Sequence, residues 1–332
     1  MEQLEKMVST KAFWSSRLQS VAFFAMALLA PLLLDAYYID TFSTVLIYAI
    51  AGIGLTLLSG VAGQVSLAHA AFVGIGAYLH VYLLRQGLPL PLAMVTATLV
   101  TAFVGFLFAF PVLRMPMHSL AVCTLAFASI VEHVFVSWES FTNGVQGALT
   151  PKAPFLGFDI AQGSNLYFVC VVVLAVCVWL ARNIIHSATG RAWMTLRESE
   201  PAARALGINV TYYKTLAFAL SSGFAGVAGA LFAHRVSYLS PDVFTVAMSI
   251  EMFLMIVVGG LGSVRGAIVG AFLVGLLPAG IAVLRDYLPQ GIGNLPGLEP
   301  GIFGIILVFV ILFEPEGIEG RLRSLARKGT AS

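Results

Sequence analysis

Apolar runs separated by short polar breaks recur along the whole of this chain. They fall at about 18–36, 42–60, 64–84, 89–112, 118–136, 166–185, 214–234, 246–261, 266–284 and 301–314. Most have on the order of 20 residues, which at ~1.5 Å per residue lets a helix cross roughly 30 Å of hydrocarbon. A backbone in lipid must satisfy its polar groups internally, so the pattern predicts an all-α, polytopic integral membrane protein of about ten transmembrane helices. The run nearest the N-terminus follows a charged stretch, as in a signal peptide. It contains Pro31 and leads directly into further spans, so a retained first helix is expected.

Composition agrees with this reading. Of 332 residues, 59% are hydrophobic and 10% charged, against about 25% charged in soluble domains. No soluble domain of useful size remains. Placement of charge carries more information than its sum. With the N-terminus inside, only Arg85, Lys152, Arg235 and Arg285 of the 18 Lys and Arg residues fall outside, as the positive-inside rule requires. The expected layout is a cytoplasmic N-terminal segment (1–17), a permease domain (18–315) and a cytoplasmic tail (316–332). Within the permease domain, 137–165 forms an external loop and 186–213 a cytoplasmic one. The external loop contains Trp138, expected at the membrane interface. Cys123, Cys170 and Cys177 lie in apolar runs and predict neither a disulfide nor a metal site.

The densest interior charge is Gly190-Arg-Ala-Trp-Met-Thr-Leu-Arg-Glu-Ser-Glu-Pro-Ala-Ala-Arg-Ala-Leu-Gly-Ile-Asn209. Ser199 or Glu200 suits a helix cap, Pro201 its first turn, and Gly207 a left-handed stop. About two turns of helix result, too short to be stable alone and so expected to pack on neighbouring protein. Ala202 and Ala203 offer a close-packing face and Arg204 a charged rim. By its residues alone the stretch is either a docking handle or an ordinary charged loop.

Two of the glycine-rich stretches, Ser59–Tyr78 and Val258–Ala271, each open with a Gly-x-x-Gly step: Gly60 with Gly63, and Gly259 with Gly262. Small residues let transmembrane backbones approach closely. The stretch around residues 60–70 is open to a re-entrant reading. Polar groups in apolar surroundings are Gln64, Ser66, His69, Glu132, His133 and Glu251. Such residues face the bundle interior, water or a partner, either on a transport pathway or locking helices together. No second His or Cys sits at a metal-ligand spacing, so His69 and His133 read as structural hydrogen-bonding groups.

No Gly-x-x-x-x-Gly-Lys-Ser/Thr phosphate loop, His-Glu-x-x-His or Gly-x-Ser-x-Gly motif occurs. No enzyme, bound cofactor or nucleic-acid partner is expected. Nor does any span carry several acids or arginines of the kind proton relays use. A transporter so built needs an outside energy source, for which the 190–209 stretch, read as a handle, offers a place to attach.

The residues resemble a family. The carriers are Gly60-Val-Ala-Gly-Gln-Val-Ser-Leu-Ala-His-Ala-Ala-Phe72, the 190–209 stretch, Ser240-Pro-Asp242, Ser249-Ile-Glu251, Gly259-Gly-Leu-Gly-Ser263 and Phe313-Glu-Pro-Glu-Gly317. Over nearly all of 40–320 the chain resembles permease subunits of bacterial ATP-binding-cassette importers for branched-chain amino acids, in their LivM-type branch. The resemblance implies that 186–213 holds a coupling helix that fits an ATPase cleft. Ala202, Ala203 and Gly207 match its pattern, with Glu200 displaced by one, Pro201 in the matching place, and Arg204 alongside. It further implies an inner-membrane heterodimer with a sibling permease, two ATPase subunits that use ATP, and a periplasmic binding protein. Gly60, Gly63, Gln64, Ser66, His69, Glu132, Glu251, Gly259 and Gly262 are then expected on the translocation pathway or in helix packing. Branched-chain amino acids, urea, amides and other small solutes stay open as cargo. Two other classes stay open as well: an ion-coupled carrier or channel, and a membrane-embedded enzyme.

Overall fold

The computed structural model describes residues 31, 35–112, 117–152, 154–155, 158–159, 163–286, 301, 304–305, 308–309, 312 and 317–321. Its long helices are α1 (Ala36–Leu55, running on as π-helix Thr56–Val61), α2 (His69–Arg85), α3 (Leu90–Val112), α4 (Met117–Ser137) and α5 (Gly163–His186). After two short helices, α6 (Ala188–Glu198) and α7 (Glu200–Ala205), come α8 (Val210–Val236), α9 (Val246–Gly259) and α10 (Val264–Asp286). Six segments among the described residues are long and apolar enough to cross a membrane: Ala36–Val61, Leu90–Pro111, Leu120–Ser137, Ser164–His186, Val210–Val236 and Pro241–Gly259. α2 and α10 match two more of the expected runs. The expected run at 18–36 lies outside the described residues but for its C-terminal end. So does most of 301–314, and the terminal segments 1–17 and 322–332 lie wholly outside.

The run expected at 64–84 starts late, because the chain is irregular from 62 to 68 before α2 begins at His69. Gly63 takes φ +69°, a left-handed conformation that stops the helix. Irregular backbone at membrane depth survives only where its polar groups are satisfied within protein. Here the Gln64 amide donates to the Leu58 carbonyl (3.0 Å) and the Leu67 amide to the Thr124 hydroxyl (3.0 Å). The Ser59 hydroxyl donates to the Gln64 carbonyl (3.0 Å), and the Ala70 amide to the Ser249 hydroxyl (3.0 Å).

Two helices form the centre. The spanning windows of α1 and α8 are 83% and 78% buried, against 28% for α3, 28% for α4 and 33% for α5. α8 packs on α1, α2 and α3, and α1 in turn on α5, α9 and α10. Small residues permit this: a Cβ at Gly76 of α2 would come within 2.5 Å of the Gly226 Cα of α8, and one at Gly229 would land on the Val73 carbonyl. The outer helices instead turn Leu99, Phe103, Leu107, Val122, Ile130 and Trp179 outward, each at least 60% exposed, the surface a lipid environment solvates.

The two ends of the bundle differ. At the end holding residues 137–152, strand β1 (Ala148–Leu149) pairs antiparallel with β4 (Tyr238–Leu239), which follows α8. The Arg85 guanidinium donates to the Leu149 carbonyl (3.1 Å) and the Thr150 hydroxyl to the Ala233 carbonyl (2.8 Å). This cap end includes Trp138, exposed and stacked near Phe141 with ring centroids 5.1 Å apart. A second hairpin, β2 (Pro154–Phe155) with β3 (Phe158–Asp159), completes the described part of the loop. The opposite end, the loop end, carries α6 and α7.

Candidate functional site: a docking loop braced on two glycine stretches

The charged loop folds as a chain of capped helices. Ser187 caps α6 by accepting from the Thr189 amide (3.2 Å). Ser199 ends α6 in extended backbone and caps α7, its hydroxyl accepting from the Ala202 amide (3.4 Å). Pro201 stands in the first turn, where its missing N–H costs nothing. Gly207, at φ +78°, closes α7 by donating to the Arg204 carbonyl (3.0 Å), and the Ile208 amide donates to the Ala203 carbonyl (3.0 Å). Asn209 then caps α8 through the Tyr212 amide (3.1 Å).

Three side chains brace this loop. Trp193 of α6 is fully buried, and its indole N–H donates to the Tyr213 carbonyl of α8 (2.7 Å). Lys214 of α8, its side chain 7% exposed, pairs with the Glu200 carboxylate, which also lies 3.7 Å from Arg204. The Arg197 guanidinium donates to the Gly60 carbonyl (2.5 Å). Gly60 ends a helix, where the last carbonyls lack intrahelical donors, so Arg197 fills a vacancy the helix leaves. The same carbonyl region touches the second glycine stretch: a Cβ at Gly60 would collide with the Gly262 backbone. A Cβ at Gly63 would press on the Arg197 side chain at 3.0 Å, and one at Gly262 would meet the guanidinium at 3.3 Å. Both glycine stretches and the charged loop therefore converge on Arg197.

Ala203 is fully buried within the chain, whereas Pro201, Ala202, Arg204, Ala205, Leu206 and Gly207 are exposed, Leu206 at 72%. The expected Ala202–Ala203 face is thus divided. Ala203 packs inward and Ala202 outward, because on so short a helix consecutive residues point about 100° apart.

The expected pathway residues separate into groups. Gly60, Gly63 and Gly262 lie at the Arg197 junction; Gly259 packs on α10, where a Cβ would strike the Gly266 carbonyl. Gln64, Ser66 and His69 are buried and serve the irregular turn. The Gln64 side-chain amide donates to the Ala62 carbonyl (3.2 Å), Ser66 accepts from the Ala68 amide (3.4 Å), and a His69 ring nitrogen lies 2.8 Å from the Ala51 carbonyl. His69 thereby links the start of α2 to α1. Glu132 is half-buried and His133 exposed, both toward the cap end of α4. Glu251 lines a cavity between α1, α9 and α10. Among the described residues no cluster of three potential metal ligands exists.

Sequence reading missed Arg197, Trp193 and Lys214 as bracing groups, and Leu206 as an exposed apolar tip. It also missed a buried pair, His80 of α2 and His234 of α8, with ring nitrogens 3.0 Å apart. One ring must donate and the other accept, so the pair holds at least one neutral acceptor nitrogen.

Comparison with known proteins decides the family. Residues 37–312 match the family of the branched-chain amino acid transport system, permease component. The chain belongs to that family. It is 32% identical over 89% of its length to the high-affinity branched-chain amino acid transport system permease protein LivM of Salmonella typhimurium, spanning 74% of that protein. Against LivM of Escherichia coli the identity is 30%, covering 90% of this chain and 73% of the relative. BraD of Pseudomonas aeruginosa, also a permease of such a system, is 27% identical, covering 82% and 92%. No solved structure matches. The chain is accordingly a multi-pass membrane permease, and its relatives are transport permeases rather than enzymes.

Proposed function

We propose that the chain is the transmembrane half of an ATP-driven importer for branched-chain amino acids or related small organic solutes. Energy enters through separate ATPase subunits that grip the loop end. The partners are two such ATPases, a sibling permease forming a heterodimer, and a periplasmic binding protein. About ten spans cross the inner membrane with both termini in the cytoplasm, and the loop end is cytoplasmic. The placement of Arg182, Arg191, Arg197, Arg204, Lys214 and Arg265 toward that end supports this sidedness.

The observation that carries the reading is the contrast between the tip of α7 and its base. The tip presents Ala202 and Leu206 to the outside, while the base is fixed to α1 through Arg197 and to α8 through Trp193 and Lys214. A lever has this form: a free end that a partner moves and a fixed end that moves the bundle. Closure of the ATPases on ATP shifts α7, and the bundle changes between outward-open and inward-open packings by rocking of helices.

The test is co-purification from native membranes in mild detergent of wild type, Ala202→Asp and Leu206→Asp. Retained ATPase in the wild type and its loss in both variants, with normal membrane insertion, is the expected result. Absence of ATPase from the wild type across several mild conditions would refute the reading and favour an ion-coupled carrier.

A further inference from the structure

The stretch Phe313-Glu-Pro-Glu-Gly317 carries part of the family resemblance, yet the charged loop and its braces give it no part to play. Residues 317–321 form a helical turn at the loop end. This turn is seated in the bundle: Ile318 packs against the core and Glu319 is only 6% exposed. Its seat is the connection between α9 and α10. Gly317 takes φ +74°, and a Cβ there would come within 2.5 Å of the Gly260 Cα and 2.6 Å of the Gly260 amide nitrogen. Only a bare backbone fits so close to another backbone in that left-handed conformation. The seat itself, Gly259-Gly-Leu-Gly-Ser263, has three glycines in five residues and little side-chain packing, since Leu261 is 46% exposed. Gly260 (φ +121°) and Gly262 (φ +84°) both take conformations that favour glycine. Glycine loses the most freedom on ordering, so such a connection keeps one shape only where its surroundings fix it. Three backbones do so here. Gly60 abuts Gly262, a Cβ at Gly266 of α10 would meet the Gly260 carbonyl at 2.6 Å, and Gly317 covers Gly260.

We infer that Gly317 is a positioning residue for transport: the 317–321 turn clamps Gly260, so that the α9–α10 connection keeps one shape and moves as a body when α7 is shifted. The transport part rests on the importer reading; the clamping does not. The C-terminal turn thereby joins the junction at which Gly60, Gly63, Arg197 and Gly262 meet. A Cβ at position 317 acts on Gly260 and touches neither solute nor ATPase. It strains its own backbone and presses on the Gly260 amide, which donates to the Ile256 carbonyl (3.0 Å) and ends α9. With the clamp loosened, a shift of α7 deforms the glycine connection instead of displacing α9 and α10.

The test compares wild type, Gly317→Ala, Ile318→Ala and Gly87→Ala, each purified with its partners from native membranes into nanodiscs. Gly87, at the cap end, has φ +83° and nothing within 4 Å of a Cβ, so Gly87→Ala adds similar backbone strain without a contact. Amide hydrogen exchange at Gly260 and Ser263 reads the connection, because the Ser263 amide donates to the Gly260 carbonyl (3.4 Å) and closes the turn. The expected result is exchange about tenfold faster at both amides in Gly317→Ala, with no change in Gly87→Ala. The Thr150 amide at the cap end, which donates to the Ser237 carbonyl (2.9 Å), should exchange as in the wild type throughout. Solute imported per ATP hydrolysed should fall about threefold in Gly317→Ala at an unchanged hydrolysis rate and KM for solute, a split that a merely structural part would not give. Wild-type exchange at Gly260 and Ser263 in Gly317→Ala overturns the clamp. A loosened connection with a wild-type ratio overturns the positioning role. Should Gly317→Ala fail to insert, Ile318→Ala, which thins the seat without strain, decides in the same way, with exchange about threefold faster. A wild-type preparation without ATPase refutes the importer reading alone, and the exchange comparison still decides the clamp.

Discussion

The cap end and the loop end of this bundle are fastened by different chemistry. At the cap end, side chains bridge elements directly, Arg235 to Asp40 and Thr44, Arg85 to the Leu149 carbonyl and His80 to His234, and backbone pairing joins β1 to β4. At the loop end, α1 and the segment before α10 meet glycine to glycine, at Gly60 and Gly262, with one guanidinium laid across the junction. Charged and stranded clasps resist sliding because each partner is tied to a specific atom. Glycine faces resist it less, since smooth backbone contacts have no side chain to dislodge. On the importer reading proposed above, this difference would make the cap end the pivot and the Gly60–Gly262 junction, rather than the braced loop itself, the part that yields when α7 is moved.

Several substitutions test this contrast, beginning with the most severe. Gly60→Leu places a side chain in the Gly262 backbone, where no flexible atom can give. It is expected to destabilise the loop end by roughly 3 kcal/mol and abolish transport, read by thermal unfolding in detergent and by uptake. A normal melting temperature would show that the glycine contact is not tight. Next, Glu200→Gln leaves the buried Lys214 ammonium without its counter-charge. Because Glu200 is itself 37% exposed, the loss is about 1–2 kcal/mol, below that of a fully buried pair. It should appear as faster trypsin cleavage between Arg191 and Arg204, and an unchanged rate would place the bracing elsewhere.

At the pivot, Asp40→Asn weakens a partly exposed ion pair and is expected to cost about 1 kcal/mol. The prediction is a small drop in melting temperature with transport retained. Loss of transport at normal stability would make the cap end part of the moving machinery. Gly207→Ala has open space around it but adopts φ +78°, so strain alone opposes it, at about 1 kcal/mol or less. ATPase co-purification should weaken only slightly, whereas complete loss would mean that the partner contacts Gly207 through its bare backbone.

Legibility in the sequence followed the range of the interaction. The long helices of the described residues follow from hydrophobic run length, and Ser199, Pro201 and Gly207 take the cap, first-turn and stop positions their types dictate, whereas α6 (Ala188–Glu198), in a charged stretch outside every apolar run, was not foreseen. These are local effects. The start of α2 was misplaced because the run from residue 64 is apolar enough for a helix, while Gly63 and a set of side-chain hydrogen bonds hold it irregular to 68. Contacts between distant residues left no local trace. Arg197 and Gly60 are 137 positions apart, His80 and His234 are 154, and Arg235 and Asp40 are 195. Nothing in periodicity distinguishes Arg197 from Arg191, or Ala203 from Ala202, until α6 and α7 are folded against α1 and α8.

The most direct test of the lever is the ratio of solute imported to ATP hydrolysed by the reconstituted complex carrying Arg197→Ala. Bound ATPase and continued hydrolysis, with the ratio lowered about tenfold, are the predicted result, because α7 would then move without carrying the Gly60–Gly262 junction. A ratio equal to the wild type would contradict the account and place transmission of the motion somewhere other than Arg197.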